Sequence, residues 1–254
     1  MRIAVVGGTG LVGRHIVDAF ATTDVDVVVV SRENGVDLST GAGLDQAFAG
    51  VQRVIDVSNA GTTDEAEATA FFTAVGQHVQ AAAGRADADR IVLLSIVGID
   101  RVASGYYAAK LAHEEVTKAG DVPTVVLRST QFHEFAGQVL TWDRTRDVSR
   151  VPEMLVRPVA AGTIAEELVE LALADSPSAT SDVGGPLVEQ LVDLATKLAA
   201  RRGDPDRVEG HRDDTERAGL LAAGALLPGR DARLIGPTFE EWLDAGERLP
   251  HLAW

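Results

Sequence analysis

Three glycines and a tyrosine–lysine pair carry the clearest chemistry in this sequence. Gly7, Gly10 and Gly13 fall within Gly7-Gly8-Thr9-Gly10-Leu11-Val12-Gly13, directly after the apolar run Arg2–Val6. The residues that follow, Leu11, Val12, His15, Ile16, Ala19 and Phe20, share one helical face. A strand–turn–helix of this kind cradles a dinucleotide. Gly7 permits the tight turn, Gly10 lets backbone approach a pyrophosphate, and Gly13 lets helix and strand pack closely. The helix N-terminus then offers free amides and a partial positive charge to the phosphates. Further along, Tyr106 and Lys110 stand four residues apart, so a helix presents both on one face. A lysine so placed can lower the phenol's pKa by its charge, which would ready the tyrosine for proton transfer. The spacing also occurs on ordinary helix surfaces. Both tyrosines of the chain sit here, and only Tyr106 stands four residues before Lys110.

The end of the second apolar run selects between dinucleotides. An NAD site places Asp or Glu there for the ribose 2′-hydroxyl, whereas a 2′-phosphate needs arginine. Val27-Val28-Val29-Val30 runs into Ser31-Arg32, a hydroxyl donor beside a guanidinium fork. Glu33 follows and can neutralise Arg32. NADP(H) is favoured, and NAD(H) stays open.

The elements that must position these residues are legible as alternation. Short apolar runs at Arg2–Val6, Val25–Val30, Val54–Val57, Arg90–Leu94 and Thr124–Leu127 are separated by helix-patterned segments. That is the signature of βαβ units and of a parallel sheet covered on both faces. Val36–Leu38 predicts one more short strand, and Leu187, Val188, Leu191, Val192, Leu194, Ala195 and Leu198 predict a later helix. Thr238-Phe239-Glu240-Glu241 is a capping box opening a short helix through Trp242 and Leu243. The expected fold is α/β, a doubly wound parallel sheet of Rossmann type, in a single NAD(P)-binding domain over residues 1–254. The rhythm loosens over residues 131–160 and 203–254, which are expected to build a small substrate-side lobe toward the C-terminus.

Composition bounds the function. The 254 residues include 46% hydrophobic ones, enough for a sizeable core. With no cysteine there are no disulfides, thiolate nucleophiles or zinc–thiolate sites, which suits a reducing compartment. A net charge of −15 repels nucleic acid and anionic membranes, so neither is an expected partner. The six histidines show no ligand spacing, so no metal is expected. No nucleophile elbow and no Gly-Lys-Ser/Thr loop is present, which removes hydrolase and nucleotide-hydrolysis readings. No secretory signal or membrane-length apolar run is found, and a cytoplasmic protein is expected. The helical faces are compatible with a homo-oligomer but read equally as internal packing.

Taken together, Gly7–Gly13, Ser31-Arg32, Gly35-Val36-Asp37-Leu38, Val54–Asn59, Leu94–Gly98, Tyr106–Lys110 and Arg128–Glu134 resemble the short-chain dehydrogenase/reductase superfamily, in its atypical, NmrA-like NAD(P)-binding branch. The resemblance implies cofactor contacts from Gly7, Thr9, Gly10, Leu11, Val12 and Gly13 in the turn and from Ser31 and Arg32 beyond it. It implies adenine contacts for Asp37 and Leu38, and a lining of the adenosine and nicotinamide ribose by Val57, Ser58 and Asn59. Lys110 would hold the ribose and Tyr106 would donate the proton. Ser95 takes approximately the place of the serine that polarises the substrate carbonyl. It lies eleven positions before Tyr106, closer than that family's usual spacing, and is followed by Ile96; Ser104 is the alternative. The segment Arg128–Phe135 resembles the loop that closes over nicotinamide, with Gln131 bonding cofactor or substrate and Phe132, His133 and Phe135 in the substrate pocket. The implied function is an NADPH-dependent oxidoreductase acting on a small organic carbonyl or quinone-like substrate. The alternative is a non-catalytic NADP(H)-binding redox sensor; isomerase or epimerase chemistry has no distinguishing feature in the sequence.

Overall fold

A computed structural model describes residues 1–102 and 104–246. The last eight residues of the expected C-terminal lobe, 247–254, lie outside the described part. Along the chain the elements are β1 (Arg2–Val6), α1 (Leu11–Phe20), β2 (Asp26–Val30), α2 (Leu44–Ala47), β3 (Arg53–Asp56), α3 (Glu65–Arg85), β4 (Arg90–Ile96), α4 (Tyr106–Lys118) and β5 (Thr124–Ser129). There follow α5 (Phe135–Trp142), β6 (Asp143–Arg144), β7 (Val148–Pro152), β8 (Leu155–Val156), α6 (Ala161–Leu173) and β9 (Thr180–Gly184). The chain continues through β10 (Glu189–Gln190), α7 (Leu191–Arg202), β11 (Arg207–His211), α8 (Glu216–Ala222), β12 (Arg233–Leu234) and α9 (Phe239–Asp244). Two compact units result: residues 1–128 with 162–181, and residues 129–161 with 182–254.

In the first unit the strands of the parallel sheet stand in the order β9-β5-β4-β3-β1-β2, with β9 entering at Thr180 and Ser181. From β1 the chain moves outward to β2, then crosses back to β3 on the other side of β1. That reversal makes the sheet doubly wound and places a crevice at the carboxyl ends of β1 and β3. Ile3, Val5, Val54, Ile55, Ile91 and Val92 are wholly buried, as strands covered on both faces require. Arg53 and Arg90, paired in register on β3 and β4, turn their guanidiniums to the C-terminal end of α6. Arg53 donates to the carbonyl of Ala172, and Arg90 donates to those of Leu171, Ala174 and Asp175. Cations are favoured at that pole, and the carbonyls there lack intrahelical partners.

The second unit is less regular, and two expectations change. Residues 131–160, read as lacking clear alternation, hold α5 and the short strands β6, β7 and β8. The expected helix from Leu187 begins only at Leu191. Glu189 and Gln190 pair with Val156 and Leu155 in an antiparallel ladder, which needs extended backbone and keeps Leu187 and Val188 out of the helix. Those two side chains are 50% and 47% exposed. In this unit β12 pairs parallel with the Val183–Gly184 end of β9. Thr238 and Glu241 form the expected capping box of α9.

The expected strand at Val36–Leu38 does not form. A 3-10 turn at Arg32–Asn34 ends on Gly35 at φ +79°, and the chain then makes one isolated bridge, Asp37 to Ala42. A left-handed glycine closing that 3-10 turn redirects the backbone, a conformation that glycine adopts without steric cost. Among the described residues no helix is long and apolar enough to cross a membrane.

Candidate active site

The site is built first from the turn after β1. Gly7 adopts φ +81°, and its amide donates to the carbonyl of Val30 at 3.0 Å, tying the turn to the end of β2. A Cβ on Gly7 would meet the carbonyl of Val57 at 3.0 Å, so the turn lies against the loop after β3. Gly13 is more constrained still. A Cβ there would stand 2.2 Å from the carbonyl oxygen of Gly7 and 2.6 Å from Gly8 Cα. Helix α1 therefore rests directly on the turn, which its sequence position predicted. Gly10 is the exposed N-cap of α1, no side chain caps the helix, and its first turn carries no acid. Uncapped amides without a competing carboxylate suit a pyrophosphate. Thr9 contributes its carbonyl to Arg14, and Val12 packs inward while Leu11 is half-buried. The cradle fits a dinucleotide.

At the end of β2, Ser31 is buried and its hydroxyl donates to Asn34 Oδ1 at 3.0 Å, while Arg32 is exposed. No ion pair joins Arg32 to Glu33 among the described residues. Asp37 accepts from the amide of Ser39 at 2.8 Å, a bond that holds its carboxyl below the usual range. The carbonyl of Leu38 accepts from His78 Nδ1 at 2.9 Å.

The pair expected to be catalytic, Tyr106 and Lys110, comes from α4, which starts after Gly105 at φ +61°. Tyr106 is half-buried, its ring edge-on to Phe72 at 5.8 Å, and its hydroxyl donates to Asn59 Oδ1. Burial, with Tyr107 beside it, pushes the Tyr106 phenol well above its ordinary value. One turn on, Lys110 is buried, with Nζ 3.5 Å from the carbonyl of Ser58 and 4.7 Å from the centre of the Phe72 ring. Burial brings its ammonium down to about 8, against the opposing pull of Asp56 and Glu114. Tyr106, Lys110, Ser58 and Asn59 thus converge at the carboxyl end of β3, with the Val57 amide bonded back to Val6 at 3.0 Å.

Ser95 is not in that group. Its hydroxyl is buried and donates to Glu114 Oε2 at 2.9 Å, and Arg128 grips the same carboxylate through Nε at 3.0 Å and Nη2 at 2.8 Å. A hydroxyl proton held by a buried carboxylate is not free to polarise a carbonyl. Ser104 is half-buried on the approach to α4, with its amide donating to the carbonyl of Val102 at 2.8 Å.

The segment after β5 belongs to the second unit. Gln131 is half-buried and its Oε1 has no donor among the described residues. Phe132 is half-buried and bridges to Val159, and Phe135 packs edge-on against Trp142 at 5.4 Å. His133, expected in the substrate pocket, is fully buried instead, its ring 5.4 Å from both Phe239 and Trp242. Its Nε2–H donates to the carbonyl of Pro237 at 3.1 Å, and burial holds the ring neutral, down to about 4. That environment makes it a core residue of its unit.

Sequence reasoning passed over Asp56 and His113. Lys110 Nζ donates to His113 Nδ1 at 3.0 Å, and His113 Nε2 faces Asp56 Oδ2 at 3.3 Å. Both signals were in the sequence. Asp56 is a lone acid inside the apolar run Val54–Val57, and His113 lies one helical turn after Lys110.

The fold and the turn define a Rossmann-type protein. Residues 3–95 match the family model of the NAD dependent epimerase/dehydratase family. A search of curated protein sequences finds no match. Among solved structures, the chain is similar to a dTDP-4-dehydrorhamnose reductase of Clostridium acetobutylicum, at 17% identity and TM-score 0.73, over 97% of this chain and 100% of that one. It is also similar to an NADPH-dependent quinone oxidoreductase of Escherichia coli complexed with NADPH, at 16% identity and TM-score 0.71, over 96% of this chain and 99% of that one. A third likeness is to a UDP-glucose 4-epimerase of Thermus thermophilus in complex with NAD, at 18% identity and TM-score 0.66, over 100% of this chain and 95% of that one. The expected Rossmann fold is thereby borne out, and the family whose model matches is described as NAD dependent.

Proposed function

We propose that this chain is an NADP(H)-dependent oxidoreductase of the atypical, NmrA-like short-chain type, acting on a small organic carbonyl or quinone-like substrate. One observation carries the reading: Tyr106 and Lys110 both reach the loop after β3, at Asn59 and Ser58, beside the Gly7 turn. A bound nicotinamide would supply or accept hydride. Gly7, Gly10 and Gly13 would admit the pyrophosphate, Ser31 and Arg32 the 2′-phosphate, and Asp37 and Leu38 the adenine. Lys110 would bond the ribose and Tyr106 would hold the proton to be transferred. Ser95 would act through Glu114, holding α4 against β4 and β5, and not on the substrate. Gln131, with its unpaired acceptor, would bond cofactor or substrate.

The competing reading is a redox sensor that binds NADP(H) without turnover. It is favoured by the upward shift of the Tyr106 phenol and the commitment of Ser95 to Glu114. The two are separated by following NADPH oxidation against a panel of carbonyls and quinones, in the wild type and in Tyr106→Phe. The oxidoreductase reading expects turnover that drops about 10²–10⁴-fold in Tyr106→Phe with NADPH affinity kept. Turnover undiminished in the variant would remove Tyr106 as proton donor. Binding with no turnover on any acceptor would favour the sensor.

A further inference from the structure

Behind Lys110 runs a line of two side chains, His113 and then Asp56, that nothing in the proposed reaction requires. All three are buried, on α4 and at the end of β3. The ammonium can only donate, so His113 Nδ1, at 3.0 Å, must be the acceptor. That assignment from the network puts the ring proton on Nε2, which faces Asp56 Oδ2 at 3.3 Å, off the line of an ideal bond. Neither of those atoms has another partner among the described residues. The other carboxylate oxygen, Oδ1, accepts from the Ser58 amide at 2.8 Å. Phe72 stacks on the His113 ring at 4.9 Å and 22°, fixing its plane.

We propose that Asp56 and His113 are positioning residues, a buried chain that aims the Lys110 ammonium at the loop after β3 and keeps it charged at neutral pH. The inference rests on the reading of Lys110 as a cofactor ligand. A buried lysine sheds its proton readily unless an opposite charge lies close. The groups facing Lys110 are Asp56 from β3 and His113 and Glu114 from α4, while α3 presents the uncharged Phe72 ring. Glu114 is already shared with Arg128 and Lys118, which leaves Asp56 as the charge free to serve Lys110. The neutral imidazole lies between them and carries the polarisation of one to the other. Burial raises the Asp56 carboxyl, but the bond from His113, the charge of Lys110 and the neighbouring Ser58 outweigh it and hold it below its ordinary value. The His113 ring is kept neutral by its own burial and by Lys110.

Two measurements test this. In cofactor-free wild-type protein, side-chain ¹⁵N NMR should show His113 as the neutral Nε2–H tautomer from about pH 5 to 9, with its Nδ1 signal moving as Lys110 titrates. A doubly protonated ring near neutrality, or an Nδ1–H tautomer, overturns the proposal without any variant being made. In the second measurement, NADPH dissociation constants are recorded from about pH 7 to 9.5 for wild type, Asp56→Asn and His113→Asn. The alkaline weakening should move to lower pH by about one unit or more in Asp56→Asn. An unchanged profile in a folded Asp56→Asn protein also overturns it. If wild type binds no NADPH at any pH, the proposed function fails, while the NMR result still decides the buried chain.

Discussion

Gly13→Ala is the sharpest perturbation the structure offers. One added methyl would sit 2.2 Å from the Gly7 carbonyl oxygen and 2.8 Å from the Gly8 carbonyl carbon, both backbone atoms with no rotamer to escape into. To restore an ordinary spacing of about 3.5 Å, α1 must retreat from the turn by roughly 1 Å. Overpacking of this kind costs about 1–3 kcal/mol. At about 2–4 °C per kcal/mol for a chain of this size, thermal unfolding should fall by roughly 2–12 °C. The same retreat pulls the α1 amides away from the phosphates, so NADPH affinity should weaken by about tenfold or more, ~1.4 kcal/mol. Gly219 in α8 is the internal contrast, because a Cβ there meets nothing within 4 Å. Gly219→Ala should be neutral or stabilising by about 0.5–1 kcal/mol. Thermal unfolding by circular dichroism and NADPH titration by calorimetry read both effects. A Gly13→Ala protein that melts and binds like wild type would refute the close-approach argument and the cradle built on it.

Two further outcomes follow from the same geometry. Arg32→Ala should lose about 1.5–3 kcal/mol of NADPH binding, the worth of a charge-assisted bond, and leave NADH binding as it was; parallel titrations check it, and equal losses for both cofactors would contradict a 2′-phosphate contact. His133 titrates near 6.5 in an unfolded chain and near 4 when folded, so the unfolded state binds the extra proton between those values. Its stabilisation is complete above 6.5 and fades as pH falls toward 4, by up to about 3 kcal/mol. Denaturant unfolding at pH 7 and pH 5 should show that loss, with a smaller slope in His133→Phe, and an identical slope in the two proteins would refute it.

The sequence by itself determined the regions where local pattern and tertiary need coincide. Apolar runs such as Arg2–Val6 and Thr124–Leu127 can be little else than strands covered on both faces, and α1 begins where Gly10 and Gly13 allow. The Thr238–Glu241 capping box is likewise a local device, satisfied within one turn. Val36–Leu38 and Leu187-Val188 show the limit of that logic. Their composition suits a strand and a helix, yet a left-handed Gly35 and the ladder of Glu189 and Gln190 override it. Partners far away in the chain decided the chemistry as well. Ser95 reads as a carbonyl-polarising serine until α4 brings Glu114 against it, and His133 reads as a substrate-pocket residue until Phe239 and Trp242 enclose it. Lys110 and Tyr106 were legible through their spacing on one helix, but what they bond depends on β3. The reason is physical: spacing fixes which side chains share a face, while burial, proton sharing and charge depend on atoms that only the folded chain brings within a few ångströms.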